Sequence, residues 1–198
     1  YAYDPAFAVR SLNVLTDDAK AQLKYLKQAS ASNDDTTRAA SAAWLTTLHS
    51  EGSAKQLLKM AKTETVPAVQ SQIATGLAKN RDYTLAATAK ELRRDYNFPA
   101  SATYALALGF MTGNAVDTVR QGLLSANKNE RINAARAAAY MAGVLSNPDA
   151  FTYTSDRAFD TGLLKSLIPQ LKVLAQTDDE NVRIYAQNAL TQIEKLMN

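Results

Sequence analysis

Five times along the chain a polar or small residue is followed at +3 and +6 by small or apolar residues. The copies run Arg38-x-x-Ser41-x-x-Trp44-Leu45, Gln70-x-x-Ile73-x-x-Gly76-Leu77, Ala102-x-x-Ala105-x-x-Leu108, Arg131-x-x-Ala134-x-x-Ala137 and Arg183-x-x-Ala186-x-x-Ala189-Leu190. Residues three and four apart share one face of an α-helix, so each copy marks a helix with a buried stripe. The middle positions 41, 73, 105, 134 and 186 are separated by 32, 32, 29 and 52 residues. A recurrence in the range of about 20–50 residues marks stacked helical units, each burying its apolar face on its neighbours.

The punctuation between copies predicts the elements. Asp4-Pro5 opens a short helix over about 5–12, and Thr16-Asp17-Asp18 caps a second that ends near residue 29. Residues 1–32 therefore read as N-terminal capping helices. Asp34 or Asp35 starts the first repeat, whose A helix runs to about His49; Glu51-Gly52-Ser53 reads as a turn before a B helix ending near Lys62. Pro67 sits just inside the second A helix, and a B helix is expected from Leu85 to Tyr96 after a turn at Asn80-Arg81-Asp82. Phe98-Pro99 opens the third repeat, whose A helix ends at Thr112-Gly113-Asn114 in the manner of a glycine C-cap. Further helices are expected over 116–124, 130–145, 163–175 and from Asp178 almost to Asn198. The long last interval contains an insertion loop, 146–161.

Composition agrees with this pattern. Glycine (7) and proline (5) are scarce, and alanine, which loses no side-chain entropy in a helix, is abundant. No apolar run approaches the ~18–20 residues needed to span a bilayer. There is no cysteine, which excludes disulfides, thiolate metal sites and cysteine nucleophiles. The net charge of +3 arises mostly in residues 51–96, where eight basic groups face five acidic ones. That is a local patch, unlike the basic field of an obligate nucleic-acid binder. The chain begins Tyr1-Ala2-Tyr3 without an initiator methionine, which leaves a removed leader or a trimmed start as expectations. The Ser/Thr/Asn/Gln/Tyr-rich surface slightly favours a bacterial exported or periplasmic protein over a cytoplasmic one.

Asp179-Glu180-Asn181-Val182-Arg183-Ile184-Tyr185-Ala186, continuing to Ala189-Leu190, resembles the Asp…Val-Arg…Ala…Ala-Leu helix of the HEAT-repeat family, and Asn129 to Ala138 matches a second time. The copies at 70 and 102 lack the arginine and match by spacing alone. The resemblance covers roughly residues 33–198. It implies an all-α fold, a right-handed α-α superhelix (a HEAT-like solenoid) of about five helical repeats with one aromatic loop insertion, forming a single domain over 1–198. Its functional implication is broad, because such repeats serve scaffolds, adaptors and a few enzymes.

Candidate chemistry is sparse. The one histidine, His49, reads as a helix C-terminal residue. The acidic groups Asp17-Asp18, Asp34-Asp35 and Asp178-Asp179-Glu180 recur where helices should start, which is the pattern of capping. No phosphate loop, calcium loop or nucleophile–base set occurs, so the sequence predicts a non-enzymatic protein with no cofactor and no metal. Lys55, Lys59 and Lys62 share one helix face, and Lys90, Arg93 and Arg94 are expected on the next B helix. B helices commonly line the concave surface of stacked repeats. These six residues form the candidate basic strip, with solvated helix faces as the plainer reading. Phe151, Tyr153 and Phe159 in the insertion loop are the second candidate binding patch; insertions in such arrays often carry the binding face. Trp44 reads as a buried anchor, and Tyr1, Tyr3 and Phe7 as aromatics covering the first helix pair. The expected function is protein or peptide binding as a scaffold or adaptor. Nucleic-acid binding along the basic strip is the second reading.

Overall fold

The computed structural model describes residues 5–147 and 156–197. Every regular element among them is helical. The chain divides into two compact units, Tyr1–Leu85 and Ala86–Asn198.

The first unit opens with α1 (Pro5–Arg10), α2 (Leu12–Leu15) and α3 (Ala19–Ala29), and continues with α4 (Asp35–Leu48), α5 (Glu51–Ala61) and α6 (Pro67–Lys79). Helix α4 is its centre and packs against α1, α3, α5 and α6. Leu26, Leu45, Leu57, Ile73 and Leu77 are fully buried there. Glu51-Gly52-Ser53 is the first turn of α5 and not a connecting turn. Ser50 and Ser53 cap it reciprocally, each side chain meeting the other's backbone N–H. Phe7 stands exposed where the sequence predicts a covering aromatic; α1 instead buries the small residues Ala6 and Val9. Tyr1 and Tyr3 lie outside the described residues.

Helix α7 (Arg81–Glu91) spans the division between the units. The second unit continues with α8 (Pro99–Met111), a 3₁₀ turn (Thr112–Ala115), α9 (Val116–Leu123), α10 (Lys128–Ser146), α11 (Arg157–Lys165), α12 (Ile168–Leu174) and α13 (Glu180–Met197). Helix α10 packs against α8, α9, α11 and α13. Its Ala134, Ala135, Ala137, Ala138 and Ala142 are buried, so neighbouring backbones approach closely. Gly109 on α8 shows how closely, because a Cβ there would collide with Cβ of Tyr140.

All five repeat positions, Ser41, Ile73, Ala105, Ala134 and Ala186, are buried. The helices pack sequentially, in the manner of a helical repeat. Other boundaries also differ from expectation. Helix α7 starts four residues early and ends at Glu91, which leaves Arg93 and Arg94 in the following turn. The last carbonyls of α7 accept from the N–H groups of Leu92, Arg93 and Arg94, and the turn so formed is held from a distance: the buried Asn133 side chain donates to the carbonyls of Leu92 and Arg94 at 2.8 and 3.0 Å. The expected helix over 163–175 is two helices broken at Ser166-Leu167. The described ends of the expected insertion loop, 146–161, are helical. Ser146 still belongs to α10, and Asp156 caps α11 by accepting the Phe159 N–H at 3.1 Å, so 157–161 is helical.

Candidate functional site

The repeat arginines share one geometry. Arg38 Nη1 donates to the carbonyls of Ser32 and Asn33, both at 3.0 Å. Arg131 Nη1 donates to Ser125 and Ala126 at 2.8 and 3.0 Å. Arg183 Nη1 donates to Thr177 at 3.1 Å. In each case the side chain reaches back to the carbonyl six residues earlier and clamps the turn that leads into its own helix. Gln70 does the same with Glu64 at 2.9 Å. Where the pattern has Ala102, the equivalent carbonyl, that of Tyr96, accepts from Ser101 Oγ and Arg136 Nη1 at 2.9 and 3.0 Å. The arginine pattern is therefore a loop clamp, a role that spacing alone does not reveal.

One clamp carries a second partner. Arg38 Nε and Nη2 hold the Glu64 carboxylate at 2.7 and 3.1 Å. Glu64 Oε1 also accepts the N–H groups of Thr65 and Val66. Burial pushes this carboxyl up, but the Arg38 fork and the two N–H groups pull harder, and the net position is below the usual 4.5.

The basic residues are only partly available. On α5, Lys55 pairs with Glu51 at 2.6 Å, while Lys59 and Lys62 are exposed, Lys62 at the helix C-cap. In the second unit Lys90 is exposed in the last turn of α7, Arg93 pairs with Glu130 at 3.0 Å, and Arg94 pairs with Glu91 at 2.5 Å. Half of the six cations are thus engaged by carboxylates. Arg93 and Arg94 lie past the end of the helix predicted to carry them.

Of the insertion aromatics, Phe151 and Tyr153 lie outside the described residues, and Phe159 is exposed on α11. Its neighbour Asp160 is buried and accepts the Thr112 hydroxyl at 2.9 Å. Thr112 holds φ 48°, ψ −128°, a strained region for a β-branched residue. Gly113, expected as a glycine C-cap, has no positive φ. It is glycine because a Cβ there would overlap the Asp160 carboxylate, with Cγ at 2.7 Å.

His49 takes the left-handed C-cap of α4, with its ring edge-to-face to Tyr83 at 5.9 Å. Trp44 is half-buried, its indole N–H donating to Gln22 at 3.5 Å. Asp18, Asp34 and Asp179 each accept a backbone N–H at a helix start. No group of three metal-ligating side chains occurs among the described residues. No helix among them is long and apolar enough to cross a membrane.

The second unit has a groove of about 450 Å³ between the end of α9 and α12. Leu123, Leu124, Pro169, Val173 and Leu174 supply its apolar wall; Arg131, Ser125 and Thr177 supply polar groups. Leu124 is 68% and Val173 71% exposed, so both present aliphatic surface to solvent at the groove. The sequence pattern does not show this site, because its two walls lie about 45 residues apart and neither Leu124 nor Val173 belongs to the repeat stripe.

No family model matches the chain, and no curated protein does. Among solved structures, the chain is similar to the crystal structure of an engineered protein from a structural-genomics effort, at 19% identity and a TM-score of 0.41, over 98% of this chain and 85% of that one.

Proposed function

We propose that this chain is a non-enzymatic protein-binding module, a scaffold or adaptor, built on HEAT-like helical repeats. Support for the repeat reading comes from the recurring clamp, in which residues 38, 70, 131 and 183 all grip the carbonyl six positions earlier. The observation that carries the binding reading is the open groove with Leu124 and Val173 at its surface. A cleft with an apolar wall and a few directed polar groups suits a peptide side chain and its flanking backbone. Nucleic-acid binding is less well supported, since Lys55, Arg93 and Arg94 already hold carboxylates and phosphate contacts need available cations.

The test is peptide selection by phage display against the full chain, run beside binding to random-sequence DNA and RNA over a salt series. The module reading expects enriched peptides that Val173→Asp no longer retains, at unchanged helicity. Tight DNA or RNA binding with a steep salt slope, lost in Lys59→Glu with Lys90→Glu, would favour the second reading instead.

A further inference from the structure

We infer that the groove between α9 and α12 recognises an acidic–aliphatic segment inside a partner protein, a glutamate seated on Arg131 with neighbouring aliphatic side chains on Leu124 and Val173. The inference deepens the protein-binding reading and rests on it.

Two copies of one device differ in a single respect. Arg38 uses Nη1 for its clamp and the Nε–Nη2 edge for a carboxylate. Arg131 makes the same clamp through Nη1, yet its Nε and Nη2 have no partner among the described residues. A guanidinium edge with two parallel N–H groups matches a carboxylate in geometry and charge. The chain itself therefore displays the ligand that such an edge takes.

The open edge has a sequence cause. Glu64 is the residue six before Gln70, whose side chain grips its carbonyl. The corresponding residue before Arg183 is Thr177, gripped in the same way. Thr177 thus holds, relative to Arg131, the place that Glu64 holds relative to Arg38. A threonine is too short to reach the fork, and Thr177 and Arg131 both line the groove. Two carboxylates on the adjoining segments are committed elsewhere, Glu130 to Arg93 and Ser125, and Asp179 to Lys128 and the Val182 N–H, and Arg131 makes an ion pair with neither. An incoming carboxylate would complete the Arg131 edge, while aliphatic neighbours would cover Leu124 and Val173.

The test uses the full chain and a short fluorescein-labelled peptide, blocked at both ends, carrying one glutamate among leucines, read by fluorescence anisotropy. Saturable binding is expected, weakened about tenfold or more when the peptide glutamate becomes glutamine, as expected for a charge-assisted pair. Thr177→Glu should supply the carboxylate internally, so it should abolish peptide binding while leaving the thermal midpoint unchanged or higher. Val173→Asp, at a highly exposed position, should also abolish binding with the circular dichroism spectrum intact. Equal affinity for the glutamine peptide, or unaltered binding by Thr177→Glu, overturns the proposal. So does preference for a glutamate-free peptide with an unblocked C-terminal carboxylate. If displayed peptides without an acidic residue bind and Val173→Asp removes them, the acidic requirement fails while the module reading stands. If display enriches nothing that binds, both fail.

Discussion

The Asp160 carboxylate occupies the space of the missing Cβ of Gly113 while also accepting the Thr112 hydroxyl. Gly113→Ala must displace a buried carboxylate that helps hold Thr112 at positive φ. The expected cost is about 1–3 kcal/mol, measured by urea denaturation; a change within the error of the method would show that α11 shifts without penalty. Glu64 is governed by its partners in the same way. Arg38→Met would leave a nearly buried carboxylate without its fork, at a cost of about 3 kcal/mol. The direction with pH follows from the lowered position of Glu64. A carboxyl whose folded value is depressed contributes stability above its unfolded value, and that contribution is lost as pH falls through the folded value. Acid titration of stability should therefore be steeper in the native chain than in Glu64→Gln below 4.5, the ordinary value for this carboxyl when unfolded.

Helices in this chain begin in two chemical ways. Three A helices start from a capping Asp or Asn with the clamp arginine four residues later: Asp34 with Arg38, Asn127 with Arg131, and Asp179 with Arg183. The other two start with Val66-Pro67 and Phe98-Pro99, where no side-chain cap is made and proline at the first helical position removes one orphan N–H and pre-sets φ. In those copies the clamp passes to Gln70, or to Ser101 and Arg136. The cost of losing a clamp should accordingly depend on its partners. Arg183→Met removes one carbonyl bond and should cost about 1 kcal/mol, well below Arg38→Met, when both are compared by thermal melts. What the sequence makes legible divides along the same line between local and distant causes. The residues at 41, 73, 105, 134 and 186 reveal the buried stripe because burial follows helical period. Proline and acidic starts are legible because capping is local. The turn after α7 is not, because Asn133 holds it from about 40 residues away. Nor is the groove, which arises only when α9 meets α12.

Each of the two units carries its own core, and the groove with its arginine lies entirely inside the second. Tyr104, Ile132, Met141 and Leu145 are fully buried in that unit, and α10 is covered by α8, α9 and α13. A chain of residues 86–198 should therefore fold alone, with a helical spectrum and a cooperative melt. A broad, noncooperative melt would show that its core needs the rest of the chain. The clamp has one more consequence, and it concerns time. Each arginine closes a loop of only about six residues, so forming it loses little chain entropy and requires no distant partner. A turn can thus be set against its helix while neighbouring units are still unstructured. Association then proceeds between segments whose bends are already fixed, which lowers the number of misaligned encounters on the way to the native order.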